Sequence, residues 1–132
     1  MLPRAQRLQR SADFQAVYRA RRSWSSAHLT LYVRAARPEG AKAGAPRTRL
    51  GFVISKKVAK RAHDRNRLKR RMREISRLRL LPGLREGWQG DALFVARAGA
   101  TGLDFAALAA DMDALMRQAR LLAQAPQSAG AE

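Results

Sequence analysis

The sequence predicts a single mixed α/β domain, and two observations lead to this fold class. Residues 49–97 read as a strand, a long basic helix and a further strand, which is the order of a βαβ unit. Amphipathic helical patterns lie on both sides of this unit, one near residue 11 and one after residue 101. The 132 residues, 46% of them hydrophobic, are enough to bury one core. We therefore predict one domain over residues 1–123.

The first helix is predicted to begin near Ser11. Ser11 offers an N-cap, and Asp13 falls in the first turn, where the helix dipole favours a carboxylate. Phe14, Val17 and Tyr18 follow at i, i+3 and i+4 and so share one face of the helix. Two interpretations of this face stay open. It is either a buried stripe or a surface on which unpaired nucleobases stack beside the arginines that follow.

Three strands are predicted from their apolar side chains and the turn residues around them. The first strand, residues 28–35, has one apolar face that consists of Leu29, Leu31 and Val33. A loop rich in Gly, Pro and Ala at 37–46 leads to the second strand, residues 49–55. The third strand, residues 91–97, follows another turn-rich segment.

The last helix is predicted after residue 101. Thr101 and Asp104 have the spacing of a capping box. Apolar side chains then recur at spacings of three and four, namely Phe105, Leu108, Met112, Leu115, Ala119 and Leu122. Pro126 ends any helix, and the residues around it are too poor in apolar bulk to fold. We expect a disordered tail over residues 124–132.

The basic helix between the second and third strands is the most informative element for function. Residues 56–79 hold twelve Lys or Arg residues against only Asp64 and Glu74. At 100° per residue, one side is a core-facing stripe that spans about 60° of arc and consists of Leu68, Met72 and Ile75. The opposite side gathers Asn66, Lys69, Arg70, Arg73 and Arg77.

A basic face of this kind has two interpretations. The plainer one is a solvated surface without a partner. However, like charges at i, i+3 and i+4 repel one another, and a helix needed for solubility alone would mix both signs. We therefore expect the face to bind a polyanion. The phosphates of a nucleic acid match a net charge of +17.

Composition argues against several other classes of protein. The chain has no Cys, which excludes disulfides, cysteine zinc sites and thiol catalysis. His28 and His63 are the only histidines, and no catalytic nucleophile, carboxylate pair or phosphate-binding glycine loop is recognisable. Nothing in the sequence resembles a signal peptide, and no apolar run of about 18 residues occurs. These features predict a soluble, cytoplasmic protein that binds rather than reacts.

A specific motif lies at the start of the basic helix. It consists of the Arg65-Asn66-Arg67 core, the downstream Lys69, Arg70 and Arg73, and the preceding segment 52–57. This motif resembles the protein subunit of bacterial ribonuclease P. Matching dipeptides near residues 2, 7 and 13 extend the resemblance over about residues 2–122.

The resemblance implies a two-layer α/β sandwich of αβββαβα order, similar to domain 2 of ribosomal protein S5. In the family the βαβ crossover is left-handed. Pattern rules alone predict a right-handed crossover, because about 98% of such connections have that sense. The expectation from the resemblance therefore replaces the general rule.

The resemblance also implies a role in a ribonucleoprotein. As the protein subunit of ribonuclease P, the chain would assist a catalytic RNA in the endonucleolytic removal of the 5′ leader from precursor tRNA, and so form part of an endoribonuclease. The expected partners are the catalytic RNA and precursor tRNA, with one protein per RNA and no membrane. Mg²⁺ would be the cofactor, held mainly by RNA, and the protein would supply no catalytic residue and no metal site.

Residue by residue, the resemblance implies two RNA-binding sets. The expected contacts to the catalytic RNA are Lys56, Lys57, Arg65, Asn66, Arg67, Lys69, Arg70 and Arg73. The expected lining of a leader cleft, between the first helix and the sheet, is Phe14, Tyr18 and Tyr32. The alternative is a non-catalytic ribosome-associated or general RNA-binding protein, which the same basic helix would serve. A DNA-binding or membrane-surface module fits less well, because the basic residues lie inside a βαβ unit.

Overall fold

The computed structural model describes residues 7–8, 11–35, 48–84, 88 and 90–121 of the chain. In these ranges three α-helices and four β-strands follow one another in the expected αβββαβα order. They are α1 (Ser11–Arg19), β1 (Ser23–Ser25), β2 (Leu29–Ala35), β3 (Thr48–Val53), α2 (Ala62–Ile75), β4 (Gly90–Ala96) and α3 (Phe105–Gln118). The loop at 37–46 and the tail at 124–132 lie outside the described residues, so both stay predictions, as does the domain boundary at residue 123.

The four described strands form one mixed sheet in the order β1, β2, β4, β3. β2 is antiparallel to both β1 and β4, whereas β3 is parallel to β4. The chain passes from β3 to β4 through α2, which confirms the predicted βαβ unit. The left-handed sense of this crossover stays a prediction.

β1 is absent from the strands that the residue pattern predicts, and only the family resemblance requires it. Its three residues are too few to show an alternation. The strand forms because the chain folds back on β2, which places Trp24 opposite Leu31. The hydroxyls of Ser25 and Thr30 lie 3.1 Å apart across the same pair of strands. Pairing with β2, and not local pattern, therefore defines β1.

The larger core lies between the sheet and the helices α2 and α3. The predicted stripe of α2 is buried there and consists of Leu68, Met72 and Ile75. α3 contributes Leu108, Met112 and Leu115, as its periodicity predicts. From the sheet, the rings of Phe52 and Phe94 stack with centroids 6.2 Å apart. The sheet and these two helices are the two expected layers.

The opposite face of the sheet carries α1 and a smaller apolar cluster. The buried members of this cluster are Leu8, Val17 and Leu93. Half-buried side chains around them are Phe14, Tyr32, Val53 and Val95. The N–H of Leu8 donates to the carbonyl of Leu50 at 2.7 Å, so backbone pairing attaches residues 7–8 to β3. α1 thus covers part of a face that would otherwise be open to solvent.

Gly51 marks a close approach between β3 and the side chains above it. A Cβ atom at this position would lie 2.8 Å from Leu8 Cδ1 and 3.0 Å from both Leu93 Cδ1 and Phe14 Cε1. These distances are too short for packed carbon atoms, so a side chain here would displace the cluster. The missing side chain allows α1 to pack directly on the sheet.

Replacing Gly51 with Ala should lower the free energy of unfolding by about 1–3 kcal/mol, the usual effect of overpacking a core. Urea denaturation measures this change. Gly102→Ala is the matched control, because a Cβ atom at Gly102 would meet nothing within 4 Å. The control should alter stability by less than about 0.5 kcal/mol. Equal losses in the two variants would contradict the close packing at Gly51.

One predicted helix cap is wrong and another differs by one residue. Thr101 belongs to a 3-10 turn, Ala100–Gly102, that precedes α3. The N-cap of α3 is Asp104, whose carboxylate accepts a hydrogen bond from the N–H of Ala107 at 2.7 Å. At the other end of the chain, Ser11 is the first residue of α1 and not the residue before it. The capping-box interpretation fails because Thr101 lies in the 3-10 turn, and the residue that caps α3 is Asp104.

α2 ends in a widened turn. After Ile75 the chain continues as a π-helical turn, Ser76–Leu80, in which the N–H of Leu81 donates to the carbonyl of Ser76 at 2.8 Å. The buried hydroxyl of Ser76 donates to the carbonyl of Met72 at 2.8 Å, so it keeps a hydrogen-bond partner. The regular α-helix is therefore shorter than the basic stretch of the sequence.

Candidate nucleic-acid interface

The outward face of α2 is rich in positive charge. Its exposed members are Asn66 and Arg70, and its half-buried members are Lys69 and Arg73. Just beyond α2, Arg77 donates to Glu74 at 2.7 Å. The hydrogen bond from Arg77 holds the pKa of Glu74 below its ordinary value. This face presents cationic and amide donors on a rigid helix whose other side is anchored in the larger core.

The turn between β3 and α2 presents two further predicted RNA contacts. The carbonyl of Ser55 accepts hydrogen bonds from the N–H groups of Val58 and Ala59, both at 3.1 Å. These bonds close a tight turn whose outer residues, Lys56 and Lys57, are exposed. The two lysines therefore extend the positive surface from the start of α2 toward the end of β3.

Arg65 has a structural contact as well as a predicted RNA contact. Its Nη1 donates to the carbonyls of Ala59 and Lys60, both at 2.8 Å. The N-cap residue of α2, Arg61, makes no side-chain capping hydrogen bond. Arg65 thus fixes the path of the chain into α2. Its RNA contact stays a prediction.

Arg67 lies at the edge of the outward face of α2 and is exposed. It lines an open hollow of about 290 Å³ together with Arg71, Leu103 and Asp104. Arg71 donates to the carbonyl of Leu103 at 3.4 Å, which is long for a hydrogen bond. Around the helix, Arg67 is about 60° from Arg70, so it lies at the edge of the outward face. Arg67 therefore borders both this face and the hollow.

The predicted leader cleft contains an aromatic pair. Tyr18 of α1 and Tyr32 of β2 meet edge to face, with ring centroids 4.8 Å apart and ring planes at 71°. Tyr18 is 38% exposed, so part of its ring is free to contact a ligand. Burial, and to a smaller degree the neighbouring Tyr32, raises the pKa of Tyr18. Its hydroxyl therefore stays protonated at neutral pH and can donate a hydrogen bond.

Phe14, the third residue predicted for the cleft, has mainly a packing role. It is half-buried, and its ring lies against the smaller cluster above Gly51. Val17 is fully buried in the same cluster. On this face of α1, Phe14 and Val17 therefore pack against the sheet, and Tyr18 is the exposed residue.

Val53 and Val95 border the predicted cleft, and the sequence reasoning did not include them. They lie opposite each other on β3 and β4 and are half-buried on the α1 side of the sheet, near Tyr32. The alternation along β4 was the signal that could have found Val95, because its neighbours in the strand face the larger core. We call the space bounded by Phe14, Tyr18, Tyr32, Val53 and Val95 the aromatic cleft.

A network of ion pairs fixes α1 against the sheet. Arg49 donates Nε and Nη2 to the two oxygens of Asp91, at 2.9 and 3.0 Å, and Nη1 to Asp13 at 3.1 Å. Asp91 is buried, and Arg34 lies 3.7 Å from it. The hydrogen bond to Asp91 raises the pKa of Arg49, although burial opposes this. The contacts join β3, β4 and the first turn of α1, so they set the position of the aromatic cleft.

Two further observations limit the kinds of site in the part of the chain that the structure describes. Within these residues there is no group of three or more His, Asp or Glu side chains that could hold a metal ion. Among the helices described, none has both the length and the hydropathy needed to span a lipid bilayer.

Fold and site together define a class, that of basic α/β proteins whose cationic and aromatic surfaces have the chemistry that RNA binding needs. Comparison with known proteins then gives the family. A family model described as Ribonuclease P matches residues 2–120 of the chain. The chain belongs to the ribonuclease P protein family.

Relatives match this chain over most of their length. A ribonuclease P protein component from Cyanothece sp. is 39% identical over 131 residues and covers 92% of this chain and 98% of its own. Another, from Chloroflexus aggregans, is 42% identical over 120 residues, with coverages of 90% and 81%. The RNase P protein of Staphylococcus aureus superposes with a TM-score of 0.73 at 22% identity, covering 89% of this chain and 98% of that one. The Thermotoga maritima RNase P protein, in complex with 1-(4-fluorophenyl)-2-thiourea, gives 0.67 at 26% identity, covering 84% and 98%.

These comparisons confirm the expected family, fold class and function. The chain is a protein subunit of ribonuclease P, the ribonucleoprotein endoribonuclease that processes the 5′ end of precursor tRNA. Its partner is the ribonuclease P RNA. The alternative of a general or ribosome-associated RNA-binding protein is therefore set aside.

Proposed function

We propose that this subunit holds two RNAs through surfaces on different elements. The outward face of α2, with the turn at Lys56 and Lys57, binds the ribonuclease P RNA. The aromatic cleft binds the unpaired 5′ leader of precursor tRNA. The observation that supports the second assignment is the contact between Tyr18 and Tyr32, with one ring left partly exposed beside a sheet face.

The aromatic cleft fits a single strand better than a duplex. Unpaired bases expose their faces and stack on aromatic rings, whereas paired bases are already stacked on each other. Tyr18 offers a ring, and Val53 and Val95 offer an apolar floor beside it. Arg19 and Arg21, at the end of α1, are exposed and can contact the phosphates of the same strand.

The contribution of the protein is electrostatic and positional in this proposal. Phosphates of the two RNAs repel each other, and cationic side chains between them reduce that repulsion. Mg²⁺ ions held mainly by RNA would activate the water that attacks the phosphodiester, and the protein would supply no catalytic residue. One protein per RNA is sufficient, because both surfaces belong to one chain. We expect this ribonucleoprotein to act in the cytoplasm.

Replacing Tyr18 with Ala should weaken the binding of precursor tRNA to the reconstituted ribonucleoprotein by about 1–3 kcal/mol, the value of one stacked base. Mature tRNA has no leader and should bind with unchanged affinity. Tyr18→Phe keeps the ring and should stay close to the wild type. Equilibrium binding of both RNAs measures these differences.

Phe105→Ala is the matched control for this experiment. Phe105 is also 38% exposed, but it lies on α3, which packs on the face of the sheet opposite α1. Its replacement should leave the affinity for both RNAs unchanged. If Tyr18→Ala lost equal affinity for precursor and mature tRNA, Tyr18 would serve only to stabilise the fold, and the leader assignment would fail.

A further inference from the structure

A row of four side chains extends the aromatic cleft across the sheet. Ser25 of β1 lies opposite Thr30 of β2, which in turn lies opposite Val95 of β4. Val95 lies opposite Val53 of β3. Because side chains alternate along a strand, Thr30 points to the same face as Tyr32, and so does the rest of the row. Ser25 is exposed and the other three are half-buried, so the row is open to a ligand.

The position of α1 explains why this row is open. Side chains of α1 contact the sheet at Arg49, Gly51 and Tyr32. Thr30 and Val53 lie two residues beyond Tyr32 and Gly51 along their strands, on the side away from Arg49. α1 therefore covers the sheet as far as Tyr32 and leaves the next row free. A strand of RNA that reaches Tyr18 and Tyr32 would lie along the edge of this row.

The row has two halves with different chemistry. Val53 and Val95 form an apolar half, and Ser25 and Thr30 form a polar half. The hydroxyl oxygens of Ser25 and Thr30 lie 3.1 Å apart, and either of them can be the donor. One hydroxyl proton is used in this hydrogen bond, so the other stays available, and the oxygens keep free lone pairs. The hydroxyl pair therefore offers a ligand both a donor and an acceptor.

We propose that Ser25 and Thr30 bind the 2′-hydroxyl of one leader nucleotide. A ribose hydroxyl both donates and accepts, which matches the hydroxyl pair. A base edge fits less well as the target, because Ser and Thr contact donors and acceptors alike and so distinguish bases poorly. Thr30 is two residues from Tyr32, about 7 Å along the strand, so one RNA strand can reach both.

This inference rests on the proposed function, because the nucleotide must belong to the strand that the aromatic cleft holds. It adds a property that stacking cannot supply. Every base has a ring face whichever sugar carries it, so stacking on Tyr18 does not distinguish RNA from DNA. A contact to the 2′-hydroxyl does. The hydroxyl pair would thus give the cleft its preference for a ribose strand.

Single 2′-deoxy nucleotides, placed at each leader position of precursor tRNA in turn, test this contact. The reconstituted wild-type ribonucleoprotein should bind about three- to tenfold more weakly when one particular position is deoxy, the loss of one neutral hydrogen bond. Ser25→Ala with Thr30→Val should cause a similar loss with the unmodified leader. In this double variant the deoxy nucleotide should cost nothing more, because the two changes remove the same contact. Thr30→Ser keeps the hydroxyl and should behave like the wild type.

Three controls accompany this experiment. Thr101→Val removes an exposed hydroxyl from the turn before α3, beside α2, and should leave the deoxy effect unchanged. A 2′-fluoro nucleotide keeps the pucker of ribose but has no proton to donate, so it should bind as weakly as the deoxy nucleotide. Mature tRNA has no leader and should bind all these proteins with equal affinity, which shows that the variants are folded.

Three results would overturn the proposal. The first is a wild type that binds every deoxy leader as tightly as the unmodified one. The second is a deoxy effect that persists in full in the double variant, because another group would then contact the sugar. The third is full recovery with the 2′-fluoro nucleotide, which would assign the effect to the shape of the sugar.

The same measurements separate this contact from the proposed function. If Tyr18→Ala weakened the binding of precursor and mature tRNA equally, but the deoxy effect still depended on Ser25 and Thr30, the stacking role of Tyr18 would fail and the hydroxyl contact would stand. If Tyr18→Ala weakened only precursor tRNA and no deoxy effect occurred, the hydroxyl contact alone would fail.

Discussion

Replacing Lys69 and Arg70 together with Gln should weaken binding of the ribonuclease P RNA by about 3 kcal/mol, or roughly a hundredfold. Each charge-assisted contact to a phosphate contributes about 1.5 kcal/mol or more, and the double variant loses two. The slope of log affinity against log salt should flatten by about 1–2 units. The double variant makes fewer phosphate contacts, so its binding releases fewer counterions from the RNA. Titrations over a series of salt concentrations measure both quantities. Gln is a good helix former, so α2 should persist.

Arg117→Gln with Arg120→Gln is the matched control for this pair. It removes the same net charge from the C-terminal end of α3, where both side chains are exposed. Affinity should fall much less, and the salt slope should stay close to that of the wild type. If the two double variants behaved alike, RNA affinity would follow the net charge of +17 and not the outward face of α2.

Replacing Arg49 with Met should lower the free energy of unfolding by about 2–3 kcal/mol. Removing one partner of a buried ion pair usually costs about 3–5 kcal/mol, because the other charge stays buried and unpaired. Here the loss is smaller, since Arg49 is partly exposed and Arg34 remains 3.7 Å from Asp91. Urea denaturation measures the loss. The variant should also bind precursor tRNA less tightly, because the first turn of α1 loses its tie to the sheet at Asp13.

Two comparisons test the reason for this loss. Arg117→Met breaks an exposed pair with Asp113, 2.7 Å apart at i and i+4, and should change stability by only about 0.3–0.5 kcal/mol. Adding Asp91→Asn to Arg49→Met should recover part of the stability, because no unpaired carboxylate then stays buried. If Arg49→Met lowered the free energy of unfolding no more than Arg117→Met, and Asp91→Asn recovered none of it, the ion pairs of Arg49 would not stabilise the fold.

α2 illustrates how much of the interface the sequence could predict. Periodicity placed Leu68, Met72 and Ile75 in the core, because a helix that packs on one side repeats its apolar residues every three to four positions. The same periodicity identified the outward basic face. It could not show that Arg67 turns toward a hollow at the start of α3, because that hollow is made by residues distant in the sequence.

The aromatic cleft was predictable only through the family resemblance. The spacing of Phe14, Val17 and Tyr18 left two interpretations open, a packing stripe and a stacking surface. The tight approach at Gly51 draws Phe14 into the smaller cluster and leaves Tyr18 exposed, so Phe14 packs and a stacking role for Tyr18 stays a prediction. A helical wheel cannot show which of these two side chains is buried, because that depends on how closely α1 approaches the sheet.

By itself the sequence determined the fold class, the family and the kind of chemistry on the surface. Helical period, strand pattern, charge and the Arg65-Asn66-Arg67 motif are local properties of the chain, so they can be read without a structure. Only the tertiary structure decided which side chains meet: Arg49 with Asp13 and Asp91, and Tyr18 with Tyr32. Most of these contacts join elements far apart in the sequence. They depend on the strand order and on the face of the sheet that each helix covers, which no local pattern encodes.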